Sequence, residues 1–175
     1  MKHLRVVACS FLLGLPLSVS ARAWTAETQV LIGEQAARLT APDLYRQIHR
    51  HEAAFRRGLL LHSDGATPEQ LFRNPDGDGS LDRRIEVEVE RAVRMIEEHR
   101  PFTDIVEQMG ILAHFVALAN NPLRTSDLDR WEYQYFEDYA DYVDSARERL
   151  PVIFYGLDAS LERGDLPGFV HGVLD

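Results

Sequence analysis

The feature that most constrains this chain is a helical stretch with no polar side. Residues 109–119, MGILAHFVALA, carry a single polar side chain, that of His114. A helix that is apolar all round has to be covered all round, so other elements must wrap it. Pro101 suits the first turn of such a helix, and Asn120-Asn121-Pro122 stops it. The pattern predicts a buried helix over about 105–119 at the centre of a bundle.

The remaining segments can supply the wrapping. Thr28 to Thr40 carries Leu31, Ile32, Ala36 and Leu39 on one stripe. Pro42-Asp43 opens a second segment in which Leu44, Ile48, Phe55 and Leu59 recur at helical spacing, with His51 and His62 on the same stripe. Residues 63–80 are rich in Gly, Pro, Asp and Asn and read as a loop. Leu81, Ile85, Val89, Ala92 and Ile96 mark another helix. Ser126-Asp127 can cap a fifth, whose apolar face is Trp131, Tyr135, Tyr139, Tyr142, Ala146 and Leu150, and Pro151 ends it. The tail has room for one short helix. No hairpin signal and no internal repeat competes, so the expected fold is a single all-α domain over residues 24–175.

The first 23 residues read differently. Lys2 and Arg5 precede an apolar run from Val6 to Leu17, too short to span a bilayer, and Ala21-Arg22-Ala23 follows. This is the pattern of a secretory signal peptide cleaved before Trp24, which predicts a secreted or periplasmic chain. Cleavage removes Cys9, so no disulfide can hold the mature fold. It also removes three cations (Lys2, Arg5, Arg22) and no carboxylate, taking the formal charge from −9 to −12. Every cation that remains is arginine. An acidic chain argues against nucleic acid as a partner, and no second apolar run is expected to span a membrane.

The segment AHFVALANNPL, a Trp at the cleavage point and the loop LFRNPDG together resemble the zinc-dependent phospholipase C and single-strand nuclease superfamily. The resemblance runs from Trp24 to about residue 160. It implies a secreted all-α fold with a mature N-terminal Trp whose amine and carbonyl bind zinc. It also implies a cluster of three zinc ions that activates water to cleave phosphodiesters. Clustered divalent ions suit that chemistry because they supply hydroxide at neutral pH and neutralise charge on the phosphate oxygens. The ligand positions that the resemblance carries over are Trp24, His114 and Glu137, with Asp64 one place beyond the family's aspartate.

Elsewhere this sequence departs from the pattern. The first-helix histidine falls on Gln29, the loop histidine on Leu71, the bridging aspartate on Leu118, the next histidine on Arg124 and the last histidine on Tyr133. Leucine cannot bind a metal, and Arg124 places a fixed cation where zinc would sit. Two readings follow. One is a catalytically degenerate binding or structural protein of this fold. The other is a zinc-dependent phosphodiester hydrolase with a reduced site, whose partner would be a phospholipid headgroup or another phosphodiester. In the degenerate reading Arg124 pairs with Asp64 or Glu137 in place of the metal, and His114 is a buried histidine bonded to a backbone carbonyl or a neighbouring side chain. Asn74 to Gly79 resembles the start of a calcium loop, but Ile85 stands where the closing glutamate belongs. His51 and His62, eleven residues apart, would be roughly 16 Å apart along a helix, too far to share one ion.

Overall fold

A computed structural model describes residues 24–60, 67–74, 76–125, 135–149 and 158–174. Among these residues the chain is all-α. The helices are α1 (Ala26–Arg38), α2 (Pro42–Arg50), α3 (Glu52–Leu60), α4 (Leu81–Glu97), α5 (Phe102–Ala119), α6 (Pro122–Thr125), α7 (Phe136–Ala146), α8 (Ala159–Glu162) and α9 (Leu166–Leu174). Single 3-10 turns cover Pro68–Leu71 and Arg147–Arg149.

The apolar segment is α5, and it takes the central place expected of it. It packs against α1, α2, α3 and α4. Near its start Val106 joins Ala37, Ile48, Phe55 and Leu59 in one buried cluster built from α1, α2 and α3. Near its end Phe115, Leu118 and Ala119 join Leu81, Ile85, Val170 and Leu174 in a second, built from α4 and α9. Among the described residues α5 is the one helix long and apolar enough to cross a membrane. Here two core clusters surround it instead.

Glycine sets how closely α3 and α5 approach. A methyl group on Gly58 would fall 2.1 Å from the Glu107 carbonyl oxygen, and one on Gly110 would fall 2.2 Å from that of Phe55. The two backbones are in direct contact, which no residue with a β-carbon permits.

Several boundaries differ from the sequence expectation. The first helix begins at Ala26 because Thr25 is its cap, the threonine oxygen accepting from the Thr28 amide. Pro101 lies outside α5, at its cap. The second segment is two helices, broken at His51, whose backbone leaves helical geometry (φ −112°, ψ 30°). The His51 ring sits 3.1 Å from the Thr103 hydroxyl, which ties the break to the start of α5. The bend turns Ile48 and Phe55 into one cluster. The tail holds two helices, α8 and α9, separated at Gly164, whose positive φ of 72° marks the turn.

The expected face of α7 also needs correction. Ala140, Val143 and Ala146 are the buried positions and Tyr139 is half-buried, whereas Tyr135 and Tyr142 are exposed. The wheel drawn through the tyrosines was rotated toward solvent, because tyrosine is apolar enough to count on a stripe yet carries a hydroxyl that favours the surface. Trp131 and Leu150 lie outside the described residues.

Candidate functional site

The N-terminal segment is fixed by side chains on both flanks. Trp24 is half-buried, and its indole N–H donates to the Ala117 carbonyl oxygen of α5 at 2.8 Å. Its ring lies 5.9 Å from that of Tyr139, tilted by 43°. Burial pushes the Tyr139 phenol above its usual pKa. One residue on, the Thr25 hydroxyl donates to Asp144 Oδ1 at 2.8 Å, and the Thr28 hydroxyl reaches the same oxygen at 3.1 Å. Arg147 adds an ion pair at 2.7 Å. The Thr25 bond first, then Thr28 and Arg147, hold the Asp144 carboxyl below the ordinary aspartate range. Carboxylate and α1 also suit each other electrostatically, since the start of a helix favours negative charge.

His114 is half-buried rather than largely buried, which corrects the sequence expectation. Its Nδ1 lies 3.0 Å from the Leu59 carbonyl oxygen. A carbonyl only accepts, so Nδ1 carries the hydrogen. Leu59 is in the last turn of α3, where carbonyls have no partner within the helix. His114 therefore caps α3 from the side of α5. Its ring also meets Phe115 edge-on, with centroids 5.3 Å apart.

Three of the four expected metal ligands, Trp24, His114 and Glu137, lie among the described residues. Trp24 meets α5 at Ala117, within one turn of His114. Glu137 lies in the first turn of α7, exposed to solvent. Asp64, expected one place beyond the family's aspartate, lies outside the described residues, as do Tyr133 and His62. Among the described residues no group of three or more His, Cys, Asp or Glu is placed to hold a metal ion.

The positions where the sequence departs from the resemblance are mostly buried. Leu118 is 5% exposed within the second core cluster, and Leu71 packs against the same cluster. Gln29 is buried, and its Nε2 has no hydrogen-bond partner. Arg124 is buried on α6, where its carbonyl accepts from the Arg73 amide at 3.0 Å. Among the described residues Arg124 makes no ion pair with the exposed Glu137, and its expected pairing with Asp64 lies outside them. Neither Leu71 nor Leu118 carries a donor atom, so neither could hold a zinc ion.

The calcium-like loop is a turn. Asn74 Oδ1 accepts from the Asp78 amide at 2.6 Å, and the two backbones exchange a second bond at 3.0 Å. The asparagine oxygen thus closes its own turn. Ile85, at the closing position, is buried in α4. Gly79 (φ +88°) turns the chain against Phe72, whose carbonyl oxygen would lie 2.2 Å from any β-carbon there.

One polar group escaped the sequence reading. Glu88 is 2% exposed on α4, and Gln108 of α5 donates to it at 2.7 Å. Arg84 pairs with its other oxygen at 2.7 Å and lies over the Phe115 ring, 4.7 Å from the centroid. The signal was legible in hindsight, since Glu88 falls on the stripe of Leu81, Ile85 and Ala92. These three side chains hold α4 to α5, and their hydrogen bonds are directed at one another.

No protein-family model matches the chain, no curated protein is detectably similar to it in sequence, and no solved structure is detectably similar to it.

Proposed function

We propose that this chain, processed before Trp24, is a secreted or periplasmic helical domain of phospholipase C-like ancestry that has lost catalysis and serves as a binding or structural protein. The observation that carries the reading is Leu118. The position that corresponds to a bridging carboxylate is a buried leucine in contact with the hydrophobic core. A carboxylate placed there would be costly without a metal, and a metal there would have no ligand. His114 supports the same reading, because its Nδ1 serves as the cap of α3.

A second reading, a hydrolase with a reduced zinc site, draws on the meeting of Trp24 and His114 with α5 within one turn. Metal analysis and turnover separate the two. Protein processed to begin at Trp24 is expected to purify with well under one zinc per chain. It is expected to hydrolyse phosphatidylcholine and single-stranded DNA no faster than buffer. Two or more zinc ions per chain, with turnover abolished by His114→Ala, would replace the first reading by the second. An additional N-terminal residue would block the Trp24 amine, so the processed terminus has to be verified.

A further inference from the structure

We draw no further inference here: the strongest candidate, the exposed apolar strip of Val93 and Ile96 on the solvent side of α4, carries nothing because nothing in the structure shows what covers it.

Discussion

His114 on α5 bonds through Nδ1 to the carbonyl oxygen of Leu59, 55 residues earlier and in the last turn of α3. The bond joins two helices whose backbones already touch at Gly58 and Gly110. The histidine thereby satisfies a carbonyl that α3 leaves without a partner.

His114→Ala should therefore destabilise the fold by about 2–3 kcal/mol, from a lost hydrogen bond together with a partial cavity. His114→Asn keeps a donor near the position of Nδ1 and should lose less than half as much. Urea unfolding of the three proteins gives the comparison. Equal losses for Ala and Asn would show that the bond to Leu59 contributes nothing.

Gly110→Ala offers a test with opposed expectations. Helix propensity alone favours alanine by about 1 kcal/mol. The new methyl would meet the Phe55 carbonyl oxygen at 2.2 Å, a backbone atom that cannot swing aside. Overpacking of this kind costs about 1–3 kcal/mol or more, so the net change should be destabilising. A raised melting temperature would contradict the close approach of α3 and α5.

Glu88 and Gln108 should behave as a unit. Removing the carboxylate by Glu88→Ala leaves Gln108 and Arg84 without their acceptor, with an expected loss of about 3–5 kcal/mol. The double variant Glu88→Leu with Gln108→Leu replaces both partners by hydrocarbon and should be more stable than Glu88→Ala. A double-mutant cycle measures the coupling, and strict additivity would count against it.

Asp144 predicts an acid-sensitive contribution. Its pKa is lowered in the folded chain, chiefly by Thr25 and then by Thr28 and Arg147. A depressed carboxylate pKa stabilises the fold above the unfolded-state value and loses that effect as pH falls through the folded value. The difference in stability between the wild-type protein and Asp144→Asn should thus be largest near neutrality and shrink below about pH 4. A difference independent of pH would mean that the hydroxyl bonds of Thr25 and Thr28 do not depend on charge.

The sequence by itself determined the all-α class, the central helix and most helix positions. Those properties are local. The apolar run around Phe115, the stripe of Leu81, Ile85 and Ala92, and the prolines at 101 and 122 each act within a few residues. Only the tertiary structure decided which faces turn inward and what the singular residues do. His114 lies in an apolar run in either reading, and the Leu59 carbonyl that occupies its Nδ1 is remote in sequence. The stripe of Leu81, Ile85 and Ala92 turns Glu88 inward, but its partner Gln108 comes from α5 and only helix packing supplies it. The tyrosines of α7 look like core by spacing, and Tyr142 faces solvent because Ala140, Val143 and Ala146 take the inner positions. Periodicity fixes that a helix has a face. The partners that helix packing brings across tens of residues fix which face it is, because burial free energy belongs to pairs of surfaces and not to one strip of sequence.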